Sequence, residues 1–401
     1  MQTAPTKKDR SKLVHPTYLL NMIAKQYQSI VQNELSHASY LLLTLLVASL
    51  QVLKQVKLER LAEALPLPIL FESRRKKLQR FLKLEALHIE TLWFPCVKGL
   101  LDQFFRPGER IYVAIDRTSW GCINILMVSL IYDHRAWPIY WTFLNKKGSS
   151  NLAEQQDVLS RSLGVLSEYV VVVLGDREFC SPKLGKWLGE QGTYFCLRQK
   201  CNTKVRQDNG LYQELREYGL TPGMKLFLND QEITKSKGFG TFHVAAKWKR
   251  TYRGFKTKEP WYILTNFSEL DIAIESYQKR FGIEEMFRDF KSGGYHLEGS
   301  KLASNQLSKL MIVVAIAYTS ALLQGRQIKR MGIQKYVVRP EIPSSHQRRH
   351  SAFYVGQQLP IWLQLQQLCQ ETLDELLRIN RRWINFYKQG QRAIELAMST
   401  F

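Results

Sequence analysis

Acidic side chains are scarce in this chain: 35 Asp and Glu stand against 57 Lys and Arg over 401 residues, a formal charge of +22. A deficit of that size favours an anionic partner, which leaves nucleic acid or an anionic membrane surface. Long apolar runs are missing too. The longest, SYLLLTLLVASLQVL (39–53) and LMIVVAIAYTSALL (310–323), fall short of the roughly 18–20 residues a bilayer span needs, so both read as buried helices and no membrane partner is expected. The first also begins too far along to be the apolar segment of a signal peptide, so no export is expected. Cysteine motifs are absent as well. Cys96, Cys122, Cys180, Cys196, Cys201 and Cys369 form no CxxC pair and no Cys/His zinc spacing, which excludes structural zinc and suits free thiols in a reducing compartment. The expected location is the cytoplasm, in association with the nucleoid. No internal repeat or low-complexity tract occurs. With 45% hydrophobic and 23% charged residues the chain is neither disordered nor fibrous, and it is long enough for two or three domains.

What is present falls into three parts. Residues 1–15 are polar and basic, and the pattern is helical from about 17 to 105, so 1–105 is expected to be a helical N-terminal domain that binds DNA ends. Within it VKLERLAEAL (56–65), a PLPI turn and FESRRKKLQRFLKLEAL (71–87) resemble a helix-turn-helix with Arg74, Arg75, Lys76, Lys77 and Arg80 on a basic face. The same charges also suit an ordinary solvated helix surface. From 111 the period changes to that of strands. IYVAIDRTSW (111–120), INILMVSLIYD (123–133) and AWPIYWTFLN (136–145) read as an antiparallel meander. A helix (152–167), the buried strand EYVVVVLGD (168–176), a second helix (182–190) and the strand TYFCLRQK (193–200) follow.

The order βββαβαβ predicts an α/β fold with a ribonuclease-H-like catalytic core over 106–300. It is interrupted by an all-β insertion at about 201–266, and flanked by the helical N-terminal domain and a helical C-terminal region, 301–401, for DNA contact or dimerisation. A long helix is expected to start near Asp271, followed by an apolar helix at 304–324, a basic irregular stretch at 326–350 and an amphipathic terminal helix from about 360.

Two acids occupy costly positions. Asp116 follows IYVAI and Asp176 ends VVVVLG, where a carboxylate needs compensation, usually from a metal ion. In the ribonuclease-H order the first and fourth strands are neighbours, so the two carboxylates would face one another. A third acid would complete an oxygen-only site for two Mg²⁺ or Mn²⁺ ions, which supports phosphodiester cleavage and exchange. The alternative for an Asp at a strand end is a turn former or helix cap.

The third acid comes from YQKRFGIEEMFRDFK (277–291). At about 100° per residue Tyr277, Arg280, Glu284 and Lys291 share one narrow face of a helix, and Ile283, Met286, Phe287 and Phe290 form the adjoining apolar arc that docks it. Glu285 points about 100° away, toward Gln278 and Asp289 on the solvated side. Glu284 is therefore the expected ligand, with Arg280, Lys291 and the Tyr277 hydroxyl gripping phosphates beside the reacting one. Isolated helical ion pairs would explain Arg280 and Glu284 alone.

The pattern Y-x2-R-x3-E-x6-K at Tyr277, Arg280, Glu284 and Lys291, with Asp116 in VAIDRT and Asp176 in LGDREF, resembles the insertion-sequence-four family of DDE transposases over roughly 105–300. The gap of 60 residues between the aspartates, and of 108 to Glu284, leaves room for the family's β insertion. The resemblance implies cut-and-paste transposition: nicking at the element ends, attack of the freed 3′-OH to form a hairpin, hairpin opening, and strand transfer into target DNA. It implies a synaptic homodimer on terminal inverted repeats. It also implies that Trp261, which opens WYILTNF, stacks on a flipped base, a contact worth about 1–3 kcal/mol; a core aromatic is the plainer alternative.

KWKRTYRGFKTK (247–258), with Lys247, Lys249, Arg250 and Arg253, fits a backbone-gripping loop or a solvated hairpin. Arg348, Arg349 and His350 are further candidates for DNA contact. Two other readings compete. A ribonuclease-H-fold nuclease without strand transfer would share the acids but has no need of the insertion. A catalytically inactive, transposase-derived regulator would bind DNA only.

Overall fold

A computed structural model of the protein describes residues 21–234, 239–250, 258–342, 349–379 and 381–400. The N-terminal region is helical: α1 (Lys25–Glu34), α2 (His37–Leu53), α3 (Leu58–Ala64), α4 (Phe71–Phe81) and α5 (Phe94–Phe104). The meander is β1 (Arg110–Trp120), β2 (Ile123–Tyr132) and β3 (Arg135–Phe143); α6 (Leu152–Val165), β4 (Val170–Gly175), α7 (Pro182–Glu190) and β5 (Tyr194–Arg198) follow. Next come β6 (Lys204–Arg206), β7 (Tyr212–Glu214), β8 (Lys225–Glu232), β9 (Thr241–Lys247) and β10 (Trp261–Thr265). The chain then continues through α8 (Leu270–Gln278), α9 (Phe281–Phe290), α10 (Ser304–Arg330), α11 (Gln334–Val337), α12 (Ala352–Leu368), α13 (Gln370–Ile379) and α14 (Ile384–Met398).

Eight strands form one mixed sheet in the order β3-β2-β1-β4-β5-β10-β9-β8. β1, β4 and β5 are parallel, and every other pairing in it is antiparallel. The first and fourth strands are neighbours, the adjacency expected above. The segment expected as an insertion is β-rich, but it does not stand apart. Among the described residues β6 and β7 form a separate ribbon, while β8, β9 and β10 extend the central sheet. Capping explains the boundaries locally: Asn151 and Glu154 make reciprocal side-chain bonds to the first turn of α6.

The core is continuous from Met22 to Phe353. α10 runs through it, and the N-terminal helices are bonded to it: Tyr27 donates to Thr319 Oγ1 at 2.9 Å and the Ala24 N–H to Ser320 Oγ at 2.9 Å. By length and composition this 27-residue helix could cross a membrane, contrary to the reading of its apolar run as too short; 78% of its most apolar window is nevertheless buried by the rest of the chain. It crosses α12 backbone to backbone. A Cβ at Gly325 would lie 1.8 Å from the Ala352 carbonyl oxygen, and one at Gly356 1.8 Å from that of Ala321, so only glycine fits at this crossing. The amphipathic terminal helix is divided into α12, α13 and α14, and α13 buries none of its side chains.

Candidate active site

The parallel register of β1 and β4 pairs Ile115 with Gly175. The next residue along each chain is an aspartate, Asp116 within β1 and Asp176 just past the end of β4, so the two acids come side by side. Gly175 makes the turn possible, because a Cβ there would lie 2.8 Å from Phe179 Cβ. Asp176 then caps the short turn Arg177–Phe179, accepting from the Glu178 N–H at 2.8 Å. It is therefore both the cap that one reading offered and the neighbour of Asp116.

A second pair of side chains ties the same two strands together, and sequence reasoning missed it. Arg117 Nε donates to Glu178 Oε2 at 2.9 Å, and its Nη1 to Asn124 Oδ1 at 3.0 Å. Glu178 also accepts from the Ser150 N–H and hydroxyl, each at 2.8 Å. Each partner follows its aspartate by one or two residues, so this mostly buried bridge fixes where the two carboxylates stand.

The long helix of the sequence reading is broken. Lys279, Arg280, Gly282 and Ile283 donate their N–H groups to the carbonyl three residues back, which tightens the chain between α8 and α9. At that winding i and i+3 side chains eclipse, and the Arg280 guanidinium lies 5.7 Å from the Tyr277 ring centroid. Arg280 is 5% exposed; its Nη1 donates to Asp116 Oδ2 at 3.3 Å and its Nη2 to Glu284 Oε1. Burial opposes its charge, but Tyr277, Glu284 and Asp116 outweigh that and hold its pKa above the usual arginine value. Asp116 is pushed up to about 7 by burial first and then by Asp176, with Glu284 adding to the effect; Arg280 and the Arg117 N–H pull the other way.

The remaining sites divide. Ile283, Met286, Phe287 and Phe290 dock α9 as predicted. Asp289 does not lie on a solvated side: it is 6% exposed and paired with Arg135 at 2.7 Å, because β3 brings that arginine beneath α9. Tyr277 is buried, hydroxyl included. Lys291 caps α9 two turns beyond Glu284, and its ammonium bonds Glu298 at 3.0 Å and the Ser119 carbonyl at 3.3 Å. That places it near the far end of β1, past Asp116. Trp261 is 8% exposed, edge-on to Tyr277 at 5.2 Å, with the Lys249 ammonium 4.7 Å from its ring centroid. Lys247 lies across the ladder from Trp261, and Arg250 is exposed beside Gly223. Arg253 and Arg348 fall outside the described residues. Arg349 and His350 line a different cavity, beside α9 and α10.

Among the described residues no three His, Cys, Asp or Glu side chains form a ready metal site. Glu284 is bonded to Arg280, whose guanidinium also bonds Asp116. The donor chemistry still fits a hard divalent cation, since every candidate ligand is a carboxylate oxygen and Asp116 sits among more negative charge than one guanidinium neutralises.

Residues 125–320 match the family described as the transposase DDE domain, a span that begins after Asp116 and holds Asp176 and Glu284. Among curated proteins there is no match. Among solved structures, the cryo-EM structure of a piggyBac transposase synaptic complex with hairpin DNA is similar at a TM-score of 0.38 and 11% identity, over 81% of this chain and 84% of that one.

Proposed function

We propose that this chain is a DNA transposase of the DDE type, with a ribonuclease-H-like core and kinship to the insertion-sequence-four family. The observation that carries the reading is the juxtaposition of Asp116 on β1 and Asp176 at the end of the neighbouring parallel strand β4, with Glu284 tied to Asp116 through Arg280. The sub-order β3-β2-β1-β4-β5 supports the ribonuclease-H-like part, and the transposase DDE domain match supports the class.

Asp116, Asp176 and Glu284 would hold the divalent ions, Mg²⁺ or Mn²⁺, two to a site. Such ions supply Lewis-acid stabilisation of charge on a phosphodiester and a bound water of lowered pKa. The chain's own residues do the rest. Arg280, released from Glu284, pairs with a phosphate beside the scissile bond, and Lys291 pairs with one further along the strand. Lys247, Lys249 and Arg250 follow the backbone, and Trp261 takes a flipped base once Lys249 leaves its ring. The cations of α4 contact the element end. The sequence of reactions is nicking, hairpin formation by the 3′-OH, hairpin opening and strand transfer, carried out by a homodimer.

The test uses labelled DNA ending in the inverted repeats that flank the gene, incubated with purified protein in Mg²⁺ or EDTA. Metal-dependent nicking that converts to a hairpin is expected. Binding without cleavage in either condition would overturn the reading in favour of a DNA-binding regulator.

A further inference from the structure

About 100° around α9 from Glu284 lies a second charged site, opening on a cavity of about 690 Å³. Its wall combines the β2–β3 turn, α9, α10 and the residues just before α12. Arg135, Arg288, Arg326 and Arg349 line it, against Asp133, Glu285 and Asp289. The acids are engaged from below: Arg135 bonds Asp289 at 2.7 Å and Glu285 at 3.2 Å, and Arg288 bonds Glu285. Positive charge is left in excess.

Arg326 is the group that calls for a ligand. It is 7% exposed, yet among the described residues its Nε and Nη1 find no hydrogen-bond partner. Its Nη2 donates to the Tyr132 carbonyl at 2.9 Å, its guanidinium carbon lies 4.4 Å from the Tyr132 ring centroid, and the Asp133 carboxylate stays at 3.6 Å from Nε. A buried guanidinium with unmade donors beside a cavity is costly unless an oxyanion completes it. His350 repeats the pattern: its ring stacks on Tyr354 at 4.7 Å, and its Nε2 is buried without a hydrogen-bond partner among the described residues. Arg288, 61% exposed at the side chain, stands at the mouth.

We propose that this cavity binds a phosphate of the DNA backbone, held by Arg326 with Arg288 and Arg349, while the scissile phosphate lies on the neighbouring face of α9. The proposal rests on the DNA reading above. Both places border α9, so one duplex passing over that helix can serve both. It gives α9 two jobs: one face carries the acid, and the next anchors the strand that the acid acts on.

The experiment measures binding of a labelled duplex against salt concentration for the wild type, for Arg288→Gln with Arg349→Gln, and for Arg326→Gln. A control of matched charge, Arg161→Gln with Lys186→Gln, lies outside every candidate DNA contact. Removing one phosphate contact lowers the slope of log K against log salt by about 1. The expected result is a slope lower by about 1–2 in the rim double variant and unchanged in the control. The rim residues are surface-exposed, so the double variant keeps the test valid if Arg326→Gln fails to fold. Inorganic phosphate is added separately as a probe, with thermal unfolding as the readout. Slopes equal to wild type would overturn the proposal, and so would a phosphate-dependent melting shift without any change in slope, which would assign the cavity to free phosphate. Absence of any DNA binding would overturn the transposase reading along with it, whereas DNA binding with unaltered slopes would overturn this proposal alone.

Discussion

Along two faces of α9 an aspartate meets an arginine, and the two places have opposite electrostatic needs. Asp116 meets Arg280 at 3.3 Å and Asp289 meets Arg135 at 2.7 Å, and both carboxyls are pushed up to about 7, by burial first in each case. Around Asp116 the neighbours are two more carboxylates, Asp176 and Glu284. Around Asp289 they are Glu285 and Arg288, and the same cavity is lined by Arg326 and Arg349 against Asp133. The same raised pKa therefore marks a place short of cations on one face and a place short of anions on the other. A perturbed acid by itself does not identify a catalytic one; the charge balance of its neighbours does.

The comparison breaks most readily at the carboxylates. Asp116→Asn, Asp176→Asn or Glu284→Gln is expected to lower DNA nicking by about a thousandfold or more while leaving DNA binding in place. Loss of binding instead would make these acids structural. Sharper discrimination comes from the bridge behind them. Arg117→Ala and Glu178→Gln each remove the tie between β1 and the turn after β4, and rates should fall by about 10–100-fold, as is usual for groups that orient ligands. Because the two act as one unit, the double variant should lose little more than either single variant; additive losses would mean separate roles.

At the entrance to the same face, Trp261→Ala should impair hairpin formation more than nicking, by about 5–150-fold for a stacking contact of about 1–3 kcal/mol. Following both products on one gel checks this, and equal loss of the two steps would remove the base-stacking role. The smallest effect belongs to the other face. Asp289 keeps its proton in the folded chain up to about pH 7, whereas an unfolded aspartate loses it near pH 3.9, so wild-type stability falls as pH rises through that window. Asp289→Asn should remove its share of the fall. The check is thermal unfolding across pH, with a melting temperature that gains on wild type at pH 8 and not at pH 4.

Much of the carboxylate face was legible because each acid carries a local signature. Asp116 and Asp176 interrupt apolar strands, and Glu284 sits in a fixed spacing with Tyr277, Arg280 and Lys291. The break between α8 and α9 was not legible, since periodicity at about 100° per residue is nearly indifferent to four residues bonded one position short. Nor was the Arg117–Glu178 bridge: its partners lie 61 positions apart and meet only through the register of two parallel strands. Asp289 was misread for a related reason. Helical phase gives its direction, but Arg135, which pairs with it, arrives from β3. Likewise the strands β8–β10 read as a unit of their own because edge pairing with β5 leaves no mark on their composition.

The central claim is that the Asp116 face takes a divalent cation and the Asp289 face does not. The most direct measurement is a Mn²⁺ titration followed by electron paramagnetic resonance, with a DNA duplex present, for the wild type, Asp176→Asn and Asp289→Asn. Saturable Mn²⁺ binding in the wild type and in Asp289→Asn, abolished in Asp176→Asn, is the result predicted. Binding unchanged in Asp176→Asn, or abolished equally in Asp289→Asn, would contradict it.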